Sequence, residues 1–426
     1  MSFLDEVLSS EAPSLVRHAM LEPAAGAMVP VAAAVYAGEE RYRINQDAPV
    51  LEADAEGFLF GQSGERAPSV VISSVAAEAS RAEPAIYHDP EFWPWLPAVE
   101  ILPACEADRS AAIDAALKNA TGKGSAVVLD TPERREELEA FLAASQSSSW
   151  ELSHRHIDGW VRYALLPSGK SLWASQGSSE YRRVVSSDPG VIAGVSLNSL
   201  VWGYWLASGA TSTHRRARSV STQIIGSGVS PSPVFATKSP GRFPASAATR
   251  LEVRDGELAV VKDLKKVKPS QLGLGAVIQE AGAAPQHFTC ESIASLTSIS
   301  LSDVRALRRA GVGESVLRAC VGVAVVATEL AGADLHLRSE CDLVEVDRPR
   351  WGLRERGRRG AIPVDVDLPQ VRAETLSALE DAVREGALAV GSPTGVDKLR
   401  LQMSAPMAQV MLEAVLATAA KASSEE

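Results

Sequence analysis

The chain has 426 residues, 46% hydrophobic, 22% charged and 5% aromatic, with a formal net charge of -11. That length exceeds the usual single-domain range, so one elaborated domain or two are expected, and the composition is that of a globular protein. No apolar run reaches the roughly 18 to 20 residues of a membrane span, and the opening Met1-Ser2-Phe3-Leu4-Asp5-Glu6 has acids where an export signal carries bases. A cytoplasmic protein without membrane partners is therefore expected. Cys105, Cys290, Cys320 and Cys341 lie far apart with no paired spacing. This fits buried thiols in a reducing compartment better than disulfides or a zinc site, and no metal or cofactor is expected.

Residues 1 to about 20 read as a short amphipathic helix, followed by extended or hairpin-like stretches over Val29–Tyr36 and Glu39–Asn45. Ser69–Glu83 opens with the β-branched run Val70-Val71-Ile72 and passes into an Ala-rich segment, which predicts a strand or turn feeding a helix that stops at Pro84. Between Ile113 and Ser145 the pattern is an Ala-rich helix, a Gly-containing turn, a buried strand over Ser125–Leu129 and a helix over Glu133–Ala144 opened by Thr131-Pro132. That alternation predicts an α/β or α+β sheet domain. Trp160–Leu166 reads as a strand, Leu197–Leu206 as a Trp-rich helix or strand, and Val220–Ile225 as part of the next element. Gly226–Ser246 reads as a long loop, which inside a compact domain needs a function or disorder to explain it. Leu301–Arg309, Gly313–Leu330 and Ala373–Leu388 predict helices, Lys398–Met403 a short alternating strand, and an Ala-rich tail runs from Met407.

The net negative charge argues against nucleic acid only if charge is evenly spread, and it is not. From Gly190 to Ala248 there is no Asp or Glu, while Arg215, Arg216, Arg218, Lys238 and Arg242 fall within that stretch. A second basic run is Arg348–Arg359, set among Gly and Pro in an expected loop. A third, weaker one is Lys262–Lys268. This is the pattern of one basic groove on an otherwise acidic surface.

Catalytic constellations are poor. His154 and His156 are two apart and would share one face of a strand, which suits a metal only if a third ligand converges. Gly122-Lys123-Gly124-Ser125 precedes a strand instead of following one, so it does not read as a phosphate-binding loop. His214, beside Arg215 and Arg216, could serve as a general base for cleaving RNA but has no second acid or base near it in sequence. Trp202 and Trp205 could stack bases, yet their place in an apolar run predicts core packing. No catalytic residue is expected.

Three stretches, in order, carry a family resemblance: Ser69–Glu83; Leu197–Trp205 running on to His214–Gly226; and Lys268-Pro269-Ser270-Gln271-Leu272-Gly273-Leu274-Gly275. Together they resemble the RAMP-superfamily backbone subunit of the type I-G (formerly I-U) CRISPR interference complex, Cascade. Two motif ends differ from that pattern: Ser80-Arg81 stands where the family has Asn-Arg, and Leu274-Gly275-Ala276 where it has His-Gly-Asn.

The resemblance implies an α+β fold, a ferredoxin-like (RRM-type) RAMP core over 21–310 with large insertions, including a thumb-like loop or hairpin at about 226–250. A mainly helical region over 311–426, carrying the Arg-rich loop 348–359, would pack on it. RNA contact is implied for Ser73, Ser74, Arg81, Asn198, Ser199, Arg218, Ser219, Ser221, Lys268 and Ser270, joined by Arg215, Arg216, Lys238 and Arg242 from the acid-free stretch. The implied role is non-enzymatic: several copies coat a crRNA, hold target DNA through guide pairing, and meet the large subunit, the guide-processing subunit and the recruited helicase-nuclease. An RNA endonuclease of the same superfamily, or a protein-only structural assembly subunit, are the alternatives.

Overall fold

The computed structural model describes residues 2–36, 41–60, 64–121, 130–206, 214–232, 251–254, 257–260, 287–388 and 395–424. The N-terminal part runs α1 (Phe3–Ser9), β1 (Ser14–Pro23), β2 (Val31–Ala32), β3 (Ile44–Pro49), β4 (Arg66–Ser73) and α2 (Val75–Tyr87). The middle comprises β5 (Val99–Leu102), α3 (Glu106–Thr121), α4 (Pro132–Ala144), β6 (Ser147–Ser148), four short helices α5 (Gly159–Tyr163), α6 (Ser179–Val184), α7 (Pro189–Ala193) and α8 (Leu197–Trp202), and the hairpin β7 (Tyr204–Leu206) and β8 (His214–Arg216). Then come β9 (Val220–Ser227), β10 (Ser230–Ser232), β11 (Leu251–Arg254), β12 (Glu257–Val260), β13 (His287–Thr289) and β14 (Ser292–Ser300). The chain continues through α9 (Leu301–Arg309), α10 (Glu314–Ala333), β15 (His336–Arg338), β16 (Cys341–Glu345), β17 (Arg350–Arg354), β18 (Ile362–Val364), α11 (Leu368–Arg384), β19 (Leu399–Gln402) and α12 (Ala405–Ser424).

The fold is α+β. Its main sheet has the strand order β15-β16-β1-β14-β9-β4-β3, with β17 also paired to β1 and β18 to β17. These pairings are antiparallel. The strand-to-strand register fixes which side chains share a face. Leu15, Arg17, Ala19 and Leu21 of β1 align with Ile299, Thr297, Ser295 and Ile293 of β14, and those with Val220, Thr222, Ile224 and Gly226 of β9. This face is covered by α2 and α10, which also pack on each other. Strands from both sides of residue 310 join this one sheet, and one hydrophobic core runs from Phe3 to Leu416.

Among the described residues the opposite face is open over its middle strands: Ser221 and Ser298 are exposed, and Gln223, Ile225 and Leu296 are half-buried. Toward β1 it is closed by Phe58 and Phe60, whose rings flank His18, and by Phe58 packing with Val16 and Ala361. Central β1 is thus covered on both sides, and a doubly covered strand loses the period-2 alternation that marks half-buried strands. This is why residues 1 to 20, expected as one helix, are instead the short α1 and the ten-residue β1. At its centre Arg17, 1% exposed, donates from Nε to Glu329 at 2.8 Å and from Nη2 to Glu345 at 2.6 Å, binding β1 to α10 and β16.

Other expectations meet local chemistry. The helix expected to stop at Pro84 runs on to Tyr87. A proline inside a helix costs about 3 kcal/mol, and burial of Ile86 and Tyr87 at roughly 1.5 to 3 kcal/mol per large apolar side chain offsets it. Trp160–Leu166, expected as a strand, begins inside α5 (Gly159–Tyr163), because Asp158 caps that helix and accepts from the Trp160 N–H at 3.0 Å; a side-chain cap of this kind outweighs a weak strand propensity. The expected helices after residue 300 and over Glu133–Ala144 are present as α9, α10, α11 and α4, and the alternating strand as β19. The Ala-rich tail is α12. Part of the expected Arg348–Arg359 loop is the strand β17. Ser125–Leu129 and the greater part of the expected thumb, 233–250, lie outside the described residues.

Helix α10 is long and apolar enough to cross a membrane by length and composition, yet 72% of its most apolar window is buried within the fold. Its Gly322 lies against α11, where an added Cβ would collide with the Oγ1, Cγ2 and Cβ of Thr375. In an exposed helix interior Gly→Ala stabilises by up to about 1 kcal/mol. Here overpacking reverses the sign, so Gly322→Ala is expected to destabilise by about 1 to 3 kcal/mol, read as a lower urea midpoint at unchanged m-value. A midpoint equal to or above that of the wild type would refute the close packing.

Candidate nucleic-acid interface

The first two motif stretches meet through a buried polar network. Glu83, near the end of α2, is 4% exposed. Arg155 grips its carboxylate from Nε at 2.8 Å and from Nη2 at 2.6 Å, and donates from Nη1 to the Gly203 carbonyl at 2.8 Å. Asn198 of α8 donates to the same carboxylate at 2.7 Å and to the Ser149 carbonyl at 2.9 Å. Ser196 donates to the side-chain amide oxygen Oδ1 of Asn198 and meets Ser199 at 3.1 Å, and Ser199 meets His156 Nδ1 at 2.6 Å. Burial pushes the Glu83 carboxyl above the usual range, with Arg155 and Asn198 opposing. Arg155 sits at φ 55°, a left-handed conformation uncommon outside glycine, and its bidentate ion pair holds it there.

That turn separates the two histidines that sequence spacing places on one strand face. His154 is exposed, while His156 is buried against Tyr204, ring centroids 4.9 Å apart. They do not converge, and among the described residues no group of three His, Cys, Asp or Glu could hold a metal. His214 also contacts Tyr204, ring centroids 5.5 Å apart, with Nε2 3.0 Å from the Val185 carbonyl. Among the cysteines only Cys105 is exposed, against the expectation of buried thiols throughout. Burial pushes the Cys320 thiol up to about 12.

The network frames the β7–β8 hairpin. Gly203 has φ 77°, and a Cβ there would sit 2.6 Å from the Arg216 carbonyl oxygen and 2.9 Å from Ala217, so the strand leaving α8 passes directly against the returning one. Arg216 donates from Nε to the Leu200 carbonyl at 3.1 Å and ion-pairs Asp303 at the start of α9, and Ser219 also donates to Asp303. Arg215 and Arg218 are exposed. The Arg218 guanidinium is lowered from its ordinary pKa, first by partial desolvation and then by the positive charge of Arg155, with Glu83 opposing.

The register carries this arginine cluster to a second one. Arg354 of β17 pairs with Ser14 of β1, Ser14 with Ser300 of β14, and the Ser300 N–H donates to the Ser219 carbonyl at 2.7 Å. These four lie in one row across one end of the sheet, spanning about 14 Å at roughly 4.8 Å per strand. Arg305 belongs to the same corner. Its guanidinium is lowered by burial and by the charges of Arg356, Arg308 and Arg309. Two basic runs separated by 130 residues in sequence are thus brought to one edge beside the open sheet face.

The expected RNA contacts divide sharply. Ser73 is buried and donates to Glu78 at 2.5 Å. Ser74 caps α2, accepting from the Ala77 N–H at 3.2 Å. Arg81 is bound to Glu78 at 2.8 Å and to the Ala331 carbonyl at 2.6 Å. Asn198, Ser199 and Ser219 are buried, and Arg216 is half-buried in its ion pair. The side chains of Ser73, Asn198, Ser199 and Ser219 are thus committed inside the fold, where burial with satisfied hydrogen bonds is the stable state of a polar group. Arg215, Arg218 and Ser221 remain at the surface. Lys238, Arg242, Lys268 and Ser270 lie outside the described residues. Sequence reasoning missed Glu83 and Arg155 as partners and assigned Trp205 to the core. Trp202 is 1% exposed, but Trp205 is 61% exposed.

The family described as CRISPR-associated protein GSU0053 matches residues 15–231, just over half of the chain. The match runs from β1 to β10, includes the first two motif stretches and ends before the third. Among solved structures, a chain titled "CRISPR RNA-guided surveillance complex, pre-nicking" matches at 12% identity and a TM-score of 0.31, covering 95% of this chain and 100% of that one. No curated protein matches.

Burial gives the structure an acid-sensitive signature. Desolvation lowers His156 from 6.5 to about 3 and, aided by Arg354, His18 to about 4. The unfolded chain therefore binds protons that the folded chain does not, from about pH 6.5 downward, so this stability is present above 6.5 and lost as pH falls. The slope approaches about 1.4 kcal/mol per pH unit for each histidine. Glu83, with its raised carboxyl, acts with opposite sign at the acid end. His156→Gln is expected to reduce the pH 6 to 4.5 slope of unfolding free energy by about half, and an unaltered slope would show that His156 titrates normally.

Proposed function

The chain belongs to the CRISPR-associated protein GSU0053 family, and from that premise we propose that it is the crRNA-binding backbone subunit of a type I-G Cascade complex. Its core is ferredoxin-like (RRM-type). The strand order β16-β1-β14-β9, with α2 and α10 on one face and the other face open, supports that reading. The subunit is cytoplasmic, non-enzymatic and independent of membranes. Its copies assemble head to tail along one guide, the arrangement that a non-closing heterologous contact generates. Target DNA is read by pairing with the guide, and the large subunit, the guide-processing subunit and the helicase-nuclease are its partners.

One observation carries this reading: the single row that joins the Arg354 corner to Ser219 and the arginines before β9, at the edge of a sheet face lined by Ser221, Gln223 and Ser298. Arginine forks grip phosphate in two-point fashion. Neutral hydroxyls and amides fix the backbone's path, and contacts of this kind do not read base sequence. A protein that must accept any guide needs that combination. For guide cleavage, His214 would have to be free to take a proton, whereas its Nε2 meets the Val185 carbonyl and its Nδ1 is buried.

Affinity for RNA is then dominated by counterion release. The double variant Arg215→Glu/Arg218→Glu is expected to lower affinity for single-stranded RNA and to flatten the plot of log K against log salt by about one unit per lost phosphate contact. Fluorescence anisotropy at several salt concentrations measures both. An unchanged salt slope would remove this cluster from the interface, and protein from cells co-expressing the guide and partner subunits that carries no small RNA would overturn the reading as a whole.

A further inference from the structure

We propose that Trp205 and Arg215 form a clamp for one unpaired nucleotide of single-stranded RNA, the indole stacking on the base and the guanidinium holding the adjacent phosphate. The assignment rests on the RNA-binding reading and adds to it a residue-level site with its own chemistry. Trp205 and Arg215 are directly opposite in the β7–β8 ladder, so their Cβ atoms lie about 5 Å apart on one side of the hairpin. The neighbouring pairs, Tyr204 with Arg216 and Leu206 with His214, point the other way: Tyr204 and Leu206 are buried, and Arg216 is held by Asp303. Alternation therefore turns Trp205 and Arg215 outward together.

Trp205 is the most exposed tryptophan of the chain, ahead of Trp93 at 42% and Trp160 at 36%, and Trp93 already carries the Lys398 ammonium over its ring. Trp150, Trp202 and Trp351 are at most 4% exposed, while Trp205 is 61% exposed. Among the described residues Arg215 makes no ion pair, and no cation–π contact covers the Trp205 ring. The hairpin beneath them is held by the Arg155 bond to the Gly203 carbonyl and by the tight crossing at Gly203, so the pair is presented on a fixed frame. The sequence around it, Gly190 to Ala248, has no acid, and Arg218 adds a second exposed cation close by in sequence. An aromatic face beside an exposed guanidinium in a positive field is complementary to a base and its phosphate. Stacking accepts any base because every base has a π-face.

The full chain is titrated with fluorescein-labelled oligo(A) 12-mer and, separately, with heparin, a polyanion without bases. Trp205→Ala is expected to weaken oligo(A) binding about 5- to 150-fold, the range for loss of one base stack, with salt slope and heparin affinity unchanged. Trp205→Phe should keep most of the affinity while losing part of the tryptophan quenching that oligo(A) produces. Arg215→Ala should weaken both ligands and reduce the salt slope by about one.

Wild-type affinity for oligo(A) in Trp205→Ala, with the wild-type protein binding RNA, overturns the clamp and leaves the RNA-binding reading standing. Equal loss for heparin and oligo(A) in Trp205→Ala assigns the residue to the frame and likewise overturns the clamp. Unaltered RNA affinity with loss of self-association in the absence of RNA makes Trp205 a subunit contact instead. A wild-type protein that binds heparin but no RNA overturns both readings.

Discussion

The buried carboxylate of Glu83 is the point on which the candidate interface depends. Desolvating an ion costs several kcal/mol, and only a geometrically complete set of partners repays it. Arg155 and Asn198 are that set, and satisfying Glu83 commits three separate chain segments at once. The end of α2, the turn at Arg155 and the first residues of α8 are thereby locked together. The third Arg155 bond, to the Gly203 carbonyl, passes the constraint on to the hairpin. The exposed Trp205 and Arg215 owe their position to an ion pair that solvent does not reach.

The polar residues of the family-like motifs therefore act mostly as framework. Ser73, Ser74 and Arg81 organise the start and the outer side of α2, and Asn198 and Ser199 complete the network. The exposed polar side chains of these stretches include Arg215, Arg218 and Ser221, on β8, just before β9 and at the start of β9. Such a division suits the proposed binding of a backbone of any sequence. The interior polar groups need exact partners, since a buried unpaired group is costly, whereas exposed arginines stay hydrated without one. Arg305 lies near Arg308, Arg309 and Arg356, and Arg218 near Arg155, with Glu11, Glu314 and Glu83 offsetting part of that charge.

Much of the helical architecture was legible in the sequence because its signals are local. Thr131-Pro132 marks the start of α4, the periodic apolar residues from Leu301 mark α9, and the composition of Glu314–Ala333 marks a buried helix. The same local logic failed at β1, where cover on both faces erases alternation, and at α5, where one capping aspartate outweighs the β-propensity of its neighbours. Trp205 was misassigned for a related reason. In sequence it belongs to an apolar run with Trp202, and only the reversal at Gly203, from helix to strand, turns one indole inward and the other out.

The sequence by itself determined where positive charge is concentrated, that helices and strands are mixed, and which stretches carry the family likeness, since these depend on composition, short-range periodicity and motif order. Tertiary structure alone decided that the Arg215–Arg218 and Arg348–Arg359 runs share one edge, because strand register is set by pairing across hundreds of residues. It also decided which polar motif residues are buried and which reach solvent. Burial belongs to the packed whole: a serine or arginine carries no local mark of whether a carboxylate elsewhere in the chain will claim it.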